Sequence, residues 1–127
     1  PTYHYNWLGH VHSVVGDSQA LKAGSHEIVV DFAYDGGFGA GGVATLYVDD
    51  REAGSIRIDK TVPLVYSMSG ETFDIGVDTG SPVGNYPHLF TCTADIVGVT
   101  IERLNEPSAA TKQKMREGEF KASISTQ

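Results

Sequence analysis

The chain has 127 residues, a formal net charge of −7, 40% hydrophobic residues and a single cysteine. That length suits one domain with a core of its own, the acidic balance repels a phosphate backbone, and the lone Cys92 excludes an internal disulfide or a cysteine-based metal cluster. No apolar run approaches the ~20 residues of a membrane span, and neither a signal peptide nor a polybasic anchor is expected. The charge is uneven: residues 1–104 hold thirteen acids and five bases, residues 105–127 three acids and four bases. Nucleic acid and membrane are therefore not expected as partners.

The chain opens directly in strand-like alternation, which reads as a piece cut from something longer whose sheet lacks one neighbouring strand. Thr2 to Leu8 sets Tyr3, Tyr5 and Trp7 against Thr2, His4 and Asn6, the period of a strand with an aromatic face. Such a row is core or cross-strand packing first, and a sugar-stacking platform second. Gly9-His10 ends it, Val11 to Val15 is a second strand, and Leu21 is expected as a plug at the end of the sheets.

His26 to Asp50 is the most informative stretch. Ile28, Val30, Phe32 and Tyr34 alternate with polar partners, as do Ala44, Leu46 and Val48, so each run buries one face. Between them, five glycines in Asp35–Gly42 suit a connection that needs positive φ. A phosphate cradle would have to open a helix and carry a lysine; a β-branched strand follows instead, so a wide hairpin in an antiparallel sheet is expected. Asp49-Asp50-Arg51-Glu52 reads as the next hairpin turn, followed by a strand from Ala53 to Ile58 with Ile56 and Ile58 inward.

Further on, Leu64–Met68 is a predicted strand entered through Pro63. Thr72–Asp78 is another, burying Phe73, Ile75 and Val77 and presenting Asp74 and Asp78. The long polar connection 79–88 is the natural place for a contact site, with Tyr86 and His88 in it. Phe90–Ala94 is predicted to be a strand with an inert, buried Cys92. Ala94–Leu104 is predicted as the last strand, packing Val97, Val99 and Ile101, with Gly98 at a bulge. These runs make residues 1–104 an all-β antiparallel sandwich or barrel. Residues 105–127 form a tail, with a helix from about Ala109 to Glu117 stopped by Gly118, or a flexible end.

No catalytic constellation emerges. His10 and His12 would share one side of a strand, the minimum for a metal seed, but a third ligand is missing. Asp74, Asp78 and Asp95 offer carboxylates without the spacing of a calcium loop. Ser13, Ser18, Ser67 and Ser81 lack nucleophile-elbow glycines.

Taken in order, Pro1-Thr2-Tyr3-His4-Tyr5-Asn6-Trp7-Leu8-Gly9, Asp31-Phe32-Ala33-Tyr34-Asp35-Gly36-Gly37, Gly41-Gly42 through Asp49, and Phe73-Asp74-Ile75-Gly76-Val77-Asp78-Thr79-Gly80-Ser81-Pro82-Val83 resemble the C-terminal β-sandwich domain of large bacterial arylsulfatases. The resemblance spans Pro1 to about Leu104. It implies a concanavalin-like jelly roll that serves as a non-catalytic accessory to a sulfate-ester hydrolase, and makes the catalytic domain of the same polypeptide its partner. The family's nucleophile is a formylglycine made from the cysteine of a Cys-x-Pro/Ala-x-Arg segment, and its metal is usually calcium. Cys92 is followed by Ala94 two positions on, but Ile96 stands where the arginine belongs, so Cys92 does not carry over. No cofactor is expected in this fragment. Such domains usually have glycine where this chain has Asp50, a residue that tolerates left-handed geometry.

The expected contacts to the neighbouring domain or a ligand are Asp74, Asp78, Tyr86, His88 and Trp7. Two other readings stand beside this one. Tyr3, Tyr5, Trp7, Tyr47 and Tyr86 on a sandwich would suit a carbohydrate-binding module, and a truncated sheet edge would suit self-association.

Overall fold

The computed structural model describes residues 1–63 and 73–104, together with 113, 116 and 117. It is all-β, with two antiparallel sheets. Strands β1 (Thr2–Trp7) and β2 (Val11–Gly16) form a hairpin, and β3 (Ile28–Tyr34), β4 (Ala40–Val48) and β5 (Arg51–Lys60) form a three-stranded sheet in the order β3-β4-β5.

The turns follow from their residues. Leu8 and Gly9 both adopt positive φ (51° and 74°), and the His10 amide closes the turn onto the Trp7 carbonyl at 2.9 Å. Trp7 then faces Val11, Asn6 faces His12 and His4 faces Val14. The glycine-rich connection between β3 and β4 has Gly36, Gly37 and Gly39 at φ of 83°, 105° and 64°, so it is a hairpin connection and not a phosphate cradle. Asp49 and Asp50 take φ of 50° and 62°, the two left-handed central positions of a type I′ turn, which keeps β4 and β5 tightly joined without a glycine. A register shift opposite Leu46 and Tyr47 leaves Ala53 as an extra residue in β5.

The hairpin lies on the three-stranded sheet through its aromatic side. Tyr5, Ala44 and Ile58 are buried together, with Tyr3, Trp7, Phe32, Ile56 and Val62 packed against them. Leu46 and Val48 are also buried. Tyr5 carries its hydroxyl into this core as acceptor for the Val62 amide at 2.7 Å. Where β2 packs against β5, Gly54 leaves room for Val15, whose Cγ2 would lie 2.8 Å from any Cβ built there. At the rim, Arg51 reaches Asp17 at 2.6 Å, and a Gln19 amide and this guanidinium hold the Asp17 carboxyl below its ordinary range.

The structure departs from the sequence reading at several elements. Ile28 and Val30 are paired with Val48 and Leu46 and so lie on the inner face of the sheet, yet they are 50% and 40% exposed. In β3, Phe32 packs against the buried cluster while Ile28 and Val30 remain open. Tyr34 and Leu21 are likewise exposed, so Leu21 plugs nothing. Thr72–Asp78 is not a strand over its described part. Gly76 turns left-handed at φ 78°, which breaks the extended run, and only Val77 pairs, in a single antiparallel bridge with Thr91. Two hydrogen bonds of 2.8 Å flank that bridge, Asp78 N to Phe90 O and Cys92 N to Gly76 O. Phe73, Ile75 and Val77 are exposed, and so is Cys92.

Residues 94–104 are not in a strand either, because they find no ladder partner among the described residues, and Val97, Val99, Ile101 and Leu104 are exposed. Gly98 is therefore no bulge. The predicted strand Leu64–Met68 lies outside the described residues. So does the tail helix, apart from Gln113, Arg116 and Glu117, which are helical.

Candidate functional site

The site grows from the outward side of the β1–β2 hairpin. Because β1 alternates, turning Tyr3, Tyr5 and Trp7 into the core turns His4 and Asn6 outward, and the hairpin register brings His12 beside them. His4 and His12 are diagonal neighbours across the two strands, within reach of long side chains. Their rings meet edge to face at 5.1 Å between centroids, with His4 Nε2 2.8 Å from His12 Nδ1.

The connection 79–88 lies over this side. Asn6 Nδ2 donates to the Val83 carbonyl at 3.3 Å, and Gly84 sits so close to His4 that a Cβ there would collide with Nδ1. The connection is tied internally by the acidic residues expected to present themselves. Asp74 accepts from the Thr79 amide at 3.0 Å and from its hydroxyl at 2.6 Å. Tyr86 donates its hydroxyl proton to Asp78 at 2.6 Å and accepts the Val83 amide at 3.0 Å, while its ring lies 5.5 Å from that of Phe90. His88 donates from Nδ1 to the Gly80 carbonyl at 3.0 Å, which leaves Nε2 as the unprotonated nitrogen of the neutral ring.

Four of the five expected contact residues, Asp74, Asp78, Tyr86 and His88, thus share one loop system. Trp7 is elsewhere. It packs toward the core with the Lys60 ammonium 3.8 Å from its ring centroid, and its buried Nε1–H meets no acceptor among the described residues. With Tyr3 and Tyr5 in the core as well, the β1 aromatic row offers no stacking platform.

Electrostatics follow the same contacts. Burial, then the neighbouring His12, lowers the pKa of His4. Burial, then the Asp78 carboxylate, raises that of Tyr86. Away from these contacts, His26 donates from Nδ1 to Asp49 at 2.7 Å and from Nε2 to the Lys22 carbonyl at 2.8 Å. Two acceptors are satisfied together only by the imidazolium, and the bond to Asp49, seconded by that to Lys22, raises the His26 pKa. Arg57 holds Asp35 through two nitrogens, at 2.5 and 3.1 Å.

Among the described residues no three His, Cys, Asp or Glu side chains converge as a metal-binding group. His10 and His12 do not share one side of a strand as the sequence suggested: His10 belongs to the turn and lies 6.0 Å from the Trp7 ring, and His4 is the partner of His12. The signal for that pair was present in the Gly9-His10 break, since a three-residue turn fixes the register that sets His4 diagonal to His12. Asn6 and Gly84 had no comparable signal. Compared with models of protein families, with curated proteins and with solved structures, the chain matches none.

Proposed function

We propose that this chain is a non-catalytic accessory sandwich of the arylsulfatase type, a concanavalin-like jelly roll that packs on the sulfatase catalytic domain of its own polypeptide and shapes access to the active site. The observation that carries this reading is the mismatch between core and surface. Among the described residues five hydrophobic ones are buried, Tyr5, Ala44, Leu46, Val48 and Ile58, while Ile28 with Val30, Phe73 with Ile75, and Val97 with Val99 and Ile101 stand exposed in alternating rows, as does Leu104. We read these exposed apolar rows as surface that another body covers. The sequence resemblance supplies the identity of that body.

In this role Asp74, Asp78, Tyr86 and His88 hold one loop rigid at the rim of the interface, and sulfate-ester hydrolysis, with its calcium and formylglycine, belongs to the neighbour. The test has two parts. The coding sequence ahead of Pro1 is expected to encode a sulfatase domain with a Cys-x-Pro/Ala-x-Arg segment, and its absence refutes the reading. The 127-residue chain alone is expected not to hydrolyse an aryl sulfate such as 4-methylumbelliferyl sulfate. Turnover by the purified chain would contradict it equally.

A further inference from the structure

We propose that β3 is a self-pairing edge: two copies of this chain join antiparallel through β3, about a two-fold axis at Val30, into one continuous sheet ordered β5-β4-β3-β3-β4-β5. This pairing uses the hydrogen-bonding edge of β3 and does not depend on the accessory role proposed above, which uses apolar faces.

The three-stranded sheet has two edges, and the chain guards only one of them. β5 carries Arg51, Glu52, Arg57, Asp59 and Lys60, holds a bulge at Ala53 and lies against β2. Charge, bulges and covering elements are the means by which natural sheets block pairing. β3 has none of them. It runs in unbroken register with β4 from Ile28 to Tyr34, holds neither proline nor lysine, and turns its one charged residue, Asp31, to the outer side of the sheet. No described residue pairs with its free edge.

The ladder to β4 determines which groups face that edge. The Asp49 amide donates to the Glu27 carbonyl and the Asp35 amide to the Gly41 carbonyl, each at 2.9 Å. Antiparallel ladders alternate, so the odd-numbered residues of β3 bond to β4, while Ile28, Val30, Phe32 and Tyr34 turn both N–H and C=O to the open edge. A second β3 reaches these groups only where even-numbered residues pair with even-numbered ones.

Charge and backbone conformation then select one register. An axis at Val29 sets Glu27 opposite Asp31 of the second copy, and an axis at Asp31 sets the two Asp31 carboxylates opposite one another. Like charges so placed are destabilising. An axis at Ile28 brings Phe32 opposite Gly24, and an axis at Phe32 brings Ile28 opposite Gly36; both glycines are left-handed, at φ of 133° and 83°, which ends the ladder. An axis at Val30 meets neither obstacle. It sets Val29 opposite Asp31 and Glu27 opposite Ala33, and it joins Ile28, Val30 and Phe32 of both copies into one apolar strip on the inner side.

The experiment is sedimentation equilibrium of the full chain at loadings up to about 1 mM, for wild type, Val29→Lys, Val29→Asp and Val30→Pro. Wild type is expected to dimerise reversibly. Val29 is exposed on the outer side of the sheet, so its variants change charge without opening the core. Position 29 meets Asp31 of the other copy twice in the dimer, so Val29→Lys should tighten it and Val29→Asp weaken it, each by about 2- to 30-fold. Val30→Pro removes an N–H that faces the free edge and none that bonds to β4, so it should abolish pairing in a chain that circular dichroism shows to be folded. The Val29 variants decide the matter even where that proline prevents folding. Amide exchange, read residue by residue by NMR, should show Ile28, Val30 and Phe32 gaining protection with concentration while Val29, Asp31 and Ala33 are protected throughout. A chain that stays monomeric, a dimer equally tight in both Val29 variants, or concentration-dependent protection that does not alternate overturns the proposal.

Discussion

Val30 and Leu46 face each other across β3 and β4 on the same side of the sheet, yet Leu46 is 1% exposed and Val30 40%. Truncating each to alanine isolates what the hairpin covers. Leu46→Ala removes three buried carbons at about 0.8 kcal/mol each, about 2.4 kcal/mol in transfer alone. The cavity left behind carries the loss into the range of about 2.5–5 kcal/mol. Val30→Ala removes two methyl groups from a site roughly 60% covered, which gives about 1 kcal/mol and almost no cavity. The two losses should differ by at least about 1.5 kcal/mol. Urea unfolding followed by tryptophan fluorescence and circular dichroism reads this directly. With a denaturant slope of about 1–3 kcal/mol/M, Leu46→Ala lowers the midpoint by about 1–5 M and Val30→Ala by less than half as much. Equal losses would mean that something covers β3 as fully as the hairpin covers β4, and the account of an uncovered inner face would be wrong.

The other expectations are independent of that one. Tyr5→Phe strands the Val62 amide that the hydroxyl now accepts, and thermal or urea unfolding should show a loss of about 1–3 kcal/mol; no change would mean that water replaces the hydroxyl. The His26–Asp49 contact makes stability depend on pH in a defined sense. The His26 pKa is raised above 6.5, so its contribution is complete below 6.5 and is lost as pH rises through the folded value. The Asp49 pKa is lowered below 3.8, so its share is complete above 3.8 and is lost as pH falls through the folded value. The stability difference between wild type and Asp49→Asn should therefore be largest between 3.8 and 6.5 and shrink on both sides, and a difference that grows at alkaline pH refutes the contact. Gly84→Ala places a Cβ against the His4 ring, so the His4 imidazole resonances should move while those of His26 stay; unmoved His4 signals would show that the connection does not lie there. Cys92 is exposed, so a thiol reagent should label the native chain stoichiometrically without denaturant, and protection would restore the buried strand that the sequence suggested.

Where the sequence reading succeeded, local chemistry decided the outcome. The alternation of Tyr3, Tyr5 and Trp7 identified the face that packs, the glycines at 36, 37 and 39 identified a left-handed connection, and Asp49-Asp50 identified the hairpin turn. Ala44, Leu46 and Val48 were legible for the same reason, since alternation tells which side of a strand is apolar. It does not tell how far the covering layer reaches, and there the reading of Ile28 and Val30 failed. Period two in Phe73–Val77 and in Val97–Ile101 was also real, but a strand exists only where its amides find a partner. Gly76 at positive φ ends one of these runs after a single bridge. Asp74 and Asp78 were read as residues that a strand presents outward; they lie instead in the loop system, as internal acceptors for Thr79 and Tyr86. His4 with His12 depends on register across a turn, which periodicity within one strand does not reveal.

The account centres on apolar rows that this chain leaves open for a neighbouring domain, and amide hydrogen exchange tests that most directly. In the isolated chain, the amides of Val97, Val99 and Ile101 and those of Phe73 and Ile75 should exchange at nearly unprotected rates, while β4 stays protected. With the proposed sulfatase domain joined ahead of Pro1, the same amides should become protected. Protection already present in the isolated chain, or exchange equally fast in both, would contradict it.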